Sequence, residues 1–261
     1  MSILDKIVAH KIKEVALQKE LVSFHQLERS RLFDRPSNSL AEALKQSQSG
    51  IIAEHKRRSP SKSVINENVS IDTVAKGYEA AGVCGMSVLT DAHFFGGHLN
   101  DLLIAREHCN LPLLRKEFII DEYQIIEAKA NGADVILLIA AILEEQEIKQ
   151  FSEIAKGLHL DVLLEVHNEQ ELAYSLMPNI DMLGVNNRNL KTFEVNTDIS
   201  KTLSRHIPDE FVKVSESGIH STETINDLRS YGFEGFLIGE NFMKTNDPGK
   251  SATAFIKQLI S

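Results

Sequence analysis

From residue 50 onward the chain repeats one pattern. Short apolar runs recur about every 20 to 35 residues, with helical patterns between them. The runs occupy residues 51–54, 86–90, 112–115, 135–139, 162–166, 182–185, 212–215 and 236–238. Most are apolar at both odd and even positions, as a parallel strand covered on both faces requires. The segments 121–131, 144–157 and 222–232 read as helices, and Gly132, Gly157 and Gly232 stand near their ends. Eight strand–helix units in about 210 residues suit a (β/α)8 barrel. A doubly wound open sheet is the rival, but eight units exceed its usual five or six strands. The expected class is therefore α/β. Its domains are a barrel over residues 50–261 and a helical extension over residues 1–49.

In the extension, Leu4, Val8, Ile12 and Val15 recur at helical spacing, which predicts an apolar stripe docking it on the barrel. Ser39-Leu40-Ala41-Glu42 has the spacing of a capping box and predicts the start of a second helix, after a loop through residues 34–39.

Composition narrows the partners. The chain has 261 residues and a formal net charge of −9, with 37 acidic side chains against 28 Lys and Arg. Nucleic-acid and anionic-membrane binders usually carry the opposite bias. The Lys56-Arg57-Arg58 run has no aromatic platform beside it and does not read as an RNA site. The residues following Met1 hold no apolar signal core, and the longest apolar run, 135–143, is too short to span a bilayer as a helix. Cys84 and Cys109 show neither metal spacing nor a disulfide framework and fit a reducing cytoplasm. No pair of histidines has metal-ligand spacing with a third ligand in support, and neither GxGxxG nor a P-loop is present. The expectation is a cytoplasmic monomer acting on an anionic small molecule.

Polar residues fall at the carboxyl ends of the runs, where barrels build their sites. They are Glu54 and Lys56, Thr90 and Asp91, Lys116, Glu165, Asn186 and Arg188, Ser215 to Gly218, and Gly239 and Glu240. Glu54 and Lys56 share parity and should face the same way. Of Arg115 and Lys116 only one can point inward, and Lys116, just past the apolar run, is the candidate. A Lys there can serve as general acid, Schiff-base nucleophile or anion clamp. Glu165 interrupts an apolar strand, so burial should raise its pKa and suit it to acid/base work; a structural ion pair is the competing reading. His167 reads as structural. Asn186 and Arg188 share parity and could read one ligand, while Asn187 shapes the turn. Gly218 and Gly239, on consecutive strand ends, would admit an anion to backbone N–H groups, with Ser217, Arg188 and the Glu240 amide around it. Phe94-Phe95-Gly96-Gly97 either covers a flat ring or packs under its loop. These residues leave three functions open: a lyase, a Schiff-base sugar-phosphate aldolase, or a non-catalytic phosphosugar-binding barrel.

Six segments, IIAEHKRRSPS, LLRKEFIID, LLEVH, GVNNRNL, VSESGI and FLIGE, lie in order across residues 51–240. Together with the helical extension they resemble the indole-3-glycerol-phosphate synthase family of tryptophan biosynthesis. The resemblance implies a (β/α)8 barrel that closes the ring of 1-(2-carboxyphenylamino)-1-deoxyribulose 5-phosphate, releasing CO2 and water, with neither cofactor nor metal. It implies Lys116 as general acid, Lys56 on the substrate carboxylate, Glu165 in proton transfers, Glu54 supporting the lysines and Asn186 orienting the substrate. It further implies Ser59 at the carboxylate, Phe95 and Phe118 on the ring, and Glu216 and Ser217 lining the site. Ser217, Arg188, Gly218, Gly239 and the Glu240 backbone would surround the phosphate. Two positions depart from the family pattern: Ser63 follows Lys62 where Gly is usual, and His98 stands where a small polar residue is expected.

Overall fold

A computed structural model describes residues 2–190 and 192–261. Eight parallel strands close into a barrel in chain order: β1 (Ile51–His55), β2 (Gly85–Leu89), β3 (Leu113–Lys116), β4 (Val135–Ile139), β5 (Asp161–Val166), β6 (Met182–Asn186), β7 (Val212–Glu216) and β8 (Phe233–Ile238). Each lies within about three residues of its apolar run, as boundary uncertainty allows. β1 pairs with β8 through Ile51↔Phe236, Ile52↔Leu237 and Ala53↔Ile238. That ladder removes both sheet edges and with them the open-sheet alternative.

Alternation along the strands sorts the core into two clusters. Ile52, Leu114, Leu137, Leu163, Met182, Val214 and Leu237 pack together inside the barrel. Ala53, Val88, Leu113, Leu138, Leu164, Leu183 and Phe236 face outward against the helices. Glu54, Lys116, Glu165 and Glu216 continue the inward phase by two residues at each carboxyl end. The polar ends are thus the upper continuation of the inner apolar layers.

The extension forms α1 (Ile3–Leu21), α2 (Phe24–Glu28) and α3 (Leu40–Lys45). The outer helices are α4 (Ile71–Ala81), α5 (Ala92–Phe95), α6 (Leu99–His108), α7 (Glu122–Ala130), α8 (Glu145–Gly157), α9 (Glu169–Ala173), α10 (Asp198–Ser204), α11 (Thr222–Arg229), α12 (Glu240–Met243) and α13 (Pro248–Ile260). Ser39 caps α3 by accepting from the Glu42 amide at 3.1 Å, as its motif predicts. The short α2 has no counterpart in the sequence reading, although Ser23 and Gln26 form a capping box there.

The predicted stripe on α1 needs correction. The buried positions are Ile7, Lys11 and Val15, whereas Ile12 is 56% exposed. Hydropathy assigns Lys11 to solvent, but three carboxylates around its ammonium stabilise it inside, and that rotates the docked face.

The extension reaches both ends of the barrel. Leu40 and Leu44 of α3 press on Gly85 and Gly235, where a Cβ would come within 2.6 and 3.1 Å of their methyl groups. Ile3, Leu4 and Ile7 of α1 instead line the cavity at the carboxyl ends of the strands.

Asp134, fully buried ahead of β4, ties the lower end together. Its Oδ1 accepts from the Asn38 amide at 2.8 Å and pairs with Arg35. Its Oδ2 accepts from the Leu113 amide at 2.8 Å and from Arg106 Nη1 at 2.7 Å. Replacing it takes the counter-charge from two arginines, which keep only carbonyl partners, and the acceptor from two amides. Asp134→Ala is expected to lower stability by about 3–5 kcal/mol. Urea unfolding should show this while KM changes little; a midpoint equal to that of the parent protein would refute the role.

Candidate active site

Most of the residues that the sequence reading placed in the site line one cavity at the carboxyl-terminal mouth of the barrel. Glu54, Lys56, Ser59, Phe95, Lys116, Phe118, Glu165, Asn186, Arg188, Glu216, Ser217, Gly218, Gly239 and Glu240 all border it. Thr90, Asp91 and Ser215 do not; Ser215 Oγ is buried and accepts from Asn187 Nδ2 at 2.9 Å. Thr90 Oγ1 donates to Glu117 at 2.7 Å, and Asp91 caps α5. The cationic run divides as well. Lys56 enters the cavity, but Arg57 forks onto Asp101, at 2.8 Å for Nη2, and Arg58 donates to the Ala92 and His93 carbonyls at 3.0 and 3.1 Å. Two of its three charges therefore hold the loop after β1 against the two helices that follow β2.

Lys116 lies at the centre. Its ammonium meets Glu165 Oε2 at 2.9 Å and also Glu216. Burial opposes its charge, but Glu165, Glu216 and Glu54 outweigh burial and raise its pKa above the usual lysine range. Lys56 Nζ pairs with Glu54 Oε1 at 2.6 Å. Asn186 Nδ2 donates to Glu165 Oε1 at 3.1 Å.

The expected upward shift at Glu165 is not found. Burial does push its pKa up, but Lys116 and His167 hold the carboxyl well below the ordinary range. The elevated carboxyl is Glu216, pushed up to about 7 by burial and by Glu165 and Glu54, against the pull of Lys116. Two buried carboxylates around one ammonium cannot both be fully compensated. Glu165 has His167 as a second cation, and among the described residues Glu216 has none.

His167, structural by its sequence position, borders no part of the cavity. It lies 3.3 Å from Glu165 Oε1 through Nε2 and 3.0 Å from Glu171 Oε2 through Nδ1. Burial opposes the imidazolium, but the two carboxylates prevail and raise its pKa to about 10.

Two glycines make room for the carboxylates. A Cβ on Gly184 would stand 2.5 Å from Glu216 Oε1, and one on Gly239 would stand 2.5 Å from Glu54 Oε1. Gly239 therefore shapes the site from beneath as well as bordering the mouth. Gly184 escaped the sequence reading; a lone glycine within an apolar strand was its signal.

At the proposed anion end, Ser217 and Gly218 both have positive φ, +68° and +77°. Serine adopts this region at a cost, and such sites are typically functional. The Glu240 carboxylate pairs with Lys62 Nζ at 2.8 Å, and its amide, in the first turn of α12, has no partner within the helix. Arg188 Nη1 donates to the Phe193 carbonyl at 3.2 Å. Across the cavity, the Phe95 and Phe118 rings lie 5.8 Å apart. His98 serves as a cap, its Nδ1 accepting from the Asn100 amide at 3.1 Å, so the unusual residue still starts α6. Ser63 is exposed and lines no part of the cavity.

The family model for Indole-3-glycerol phosphate synthase matches residues 4–258. The chain belongs to the indole-3-glycerol phosphate synthase family. A relative of that name from Bacteroides thetaiotaomicron is 47% identical over 98% of both chains. Another from Albidiferax ferrireducens is 43% identical over 95% of both. One from Acinetobacter baumannii is 40% identical over 98% of this chain and 96% of its own. Two solved structures share the fold alone. One described as "Native KDPGal structure" has a TM-score of 0.57 at 11% identity, covering 82% of this chain and 94% of its own. A cube-shaped, highly porous protein cage made by fusing symmetric oligomeric domains has a TM-score of 0.55 at 12% identity, covering 81% and 72%. Membership makes the chemistry that of a carboxy-lyase of tryptophan biosynthesis, acting on a phosphorylated small molecule.

The His167 pair has a pH signature. The folded imidazole titrates near 10 and an unfolded one near 6.5, so its contribution is complete below pH 6.5 and is lost as pH rises through 10. Between these values the folded state binds more protons, and stability should fall with pH. Urea unfolding of His167→Asn should show a flatter dependence in that window; equal slopes for parent and variant would discount the buried imidazolium.

Proposed function

We propose that Lys116 is the general acid of the ring-closing step. The observation that supports this is its place: a buried ammonium between Glu165 and Glu216, facing a cavity with aromatic rings on one side and the Ser217–Gly218 turn on the other. Three carboxylates keep Lys116 protonated at neutral pH. That state suits proton donation and opposes Schiff-base attack, which needs the free amine.

The substrate, 1-(2-carboxyphenylamino)-1-deoxyribulose 5-phosphate, would lie with its phosphate among Ser217, Gly218, Gly239, the Glu240 amide and Arg188. Its ring would pack on Phe95 and Phe118. Lys56 and Ser59 would grip the ring carboxylate, with Glu54 fixing Lys56. Asn186 would orient the sugar chain. The ring carbon bearing the carboxylate then attacks the ketone carbon while Lys116 donates a proton to the ketone oxygen, giving a hydroxyl. The electron pair of the bond to CO2 returns to the ring as CO2 leaves. Glu216 then gives a proton to the hydroxyl, which leaves as water, while the ionised Glu165 accepts the proton lost from the carbon between the former ketone carbon and the nitrogen. Glu165 then passes its proton back to Lys116, 2.9 Å away, and Glu216, whose carboxyl burial pushes up, takes a fresh proton from water.

Positioning carries much of the rate. Holding carbon nucleophile and ketone at contact distance supplies an effective molarity that free solution lacks, and a placed acid adds roughly 10²–10⁴-fold. We read residues 1–49 as a helical extension and residues 50–261 as the catalytic barrel, working as a cytoplasmic monomer. Among the described residues no helix is long and apolar enough to cross a membrane, and both cysteines are free and buried.

Lys116→Met is expected to reduce kcat at least about 10³-fold while product affinity changes little, because its contribution lies in the transition state. Stopped-flow fluorescence of indole formation reads the first, and equilibrium titration the second. Near-parental turnover would remove Lys116 from the acid role. Borohydride trapping of a substrate adduct would favour the aldolase reading instead.

A further inference from the structure

Helix α1 brings a buried charge to the barrel as well as an apolar wall. Lys11 is 1% exposed. Its Nζ lies 3.0 Å from each of Asp91 Oδ2, Glu117 Oε1 and Glu14 Oε1. Glu14 belongs to α1 itself. The other two partners belong to the barrel, and each sets the backbone of a ring that borders the cavity. Asp91 Oδ1 accepts from the Phe94 amide at 2.7 Å and the Phe95 amide at 3.2 Å, so it caps the short helix that carries Phe95. Glu117 Oε1 accepts from the Phe118 amide at 2.9 Å. Its Oε2 accepts from Thr90 Oγ1 at 2.7 Å, which joins the same two strand ends a second time.

We propose that Lys11 is a positioning residue for the aromatic end of the substrate: by holding Asp91 and Glu117 on one ammonium, it fixes the Phe95–Phe118 wall. Without that ammonium, two buried carboxylates converge on one point with little compensation. Arg115, the other cation nearby, is 4.0 Å from Glu117 and already committed to Glu127 at 2.6 Å and the Gln124 carbonyl at 2.8 Å. The carboxylates would move apart or take up water. Either response shifts the cap of α5 and the turn after β3, and with them the spacing of the two rings. The phosphate end, on the loops after β7 and β8, shares no partner with Lys11. The expected effect is therefore confined to the ring end.

The inference rests on the reading of Phe95 and Phe118 as the ring wall, and the test separates the two. Lys11→Met, Lys11→Arg and Phe118→Ala are compared by titration with indole-3-glycerol phosphate and with inorganic phosphate, and by steady-state kinetics. Lys11→Met is expected to weaken the indole ligand about tenfold and to raise KM by a similar factor. It should leave kcat within about twofold and phosphate affinity unchanged, as loss of uniform binding requires. Lys11→Arg should recover most of the affinity, since it keeps the charge. Equal weakening of both ligands, or unchanged indole affinity in a folded Lys11→Met protein, overturns the role. If Phe118→Ala also leaves indole affinity unchanged, the ring-wall reading itself fails and takes this inference with it. If Phe118→Ala weakens binding and Lys11→Met does not, only the role of Lys11 is lost. Should Lys11→Met not fold, Asp91→Asn keeps the capping oxygen and removes one charge that Lys11 meets. It should then show the same selectivity at roughly threefold, and an unchanged ratio of the two affinities overturns the proposal.

Discussion

The ladder between β1 and β8 is the constraint on which the rest depends. Without it the eight strands form a twisted sheet whose ends lie far apart. With it, the first and last strands become neighbours, and Glu54 comes against Gly239. Closure also forces each strand to present one parity inward. The inner layers are apolar below and become charged within two residues at the upper rim. The rim is where a barrel meets water and ligand, so ionisable groups there are less costly than they would be in the middle. Seven connections then carry the same logic around the ring, and residues from distant points in sequence meet at one mouth.

That mouth is balanced by its own charges. Lys116 meets Glu165 and Glu216, Lys56 meets Glu54, and His167 is shared between Glu165 and Glu171. A buried ammonium among carboxylates stays protonated and is held in place by them. The compensation is uneven. Glu165 has two cationic partners and remains ionised, whereas Glu216 shares one and moves towards neutrality. Chemically similar side chains on β5 and β7 are thus shifted in opposite directions by their neighbours.

The amino-terminal extension obeys the same rule from outside. Its α3 closes the lower end with leucines, and Asp134 fastens the adjoining loop. Its α1 places apolar side chains over the upper cavity and is fixed there by Lys11. A segment that could pass for an accessory thus supplies part of the cavity wall.

Much of this was legible in the residues. The apolar runs placed the strands because a strand covered on both faces must be apolar at both parities. Strand parity put Glu54 with Lys56 and Asn186 with Arg188, since alternation is a property of the backbone, and the end of the apolar run singled out Lys116 over Arg115. What failed depended on distant neighbours. The sequence gives Glu165 an apolar strand, which argues for a raised pKa, but not the Lys116 and His167 that lower it. It gives Lys11 a charge, which argues for solvent, but not the three carboxylates that bury it. It gives Gly184 no side chain, but not the Glu216 carboxylate that occupies the space. Local pattern and backbone periodicity thus determined the architecture and the inward-facing residues. Protonation states and the docking of α1 were decided by tertiary structure, because an electrostatic energy belongs to a set of positions in space, and chain order does not contain those distances.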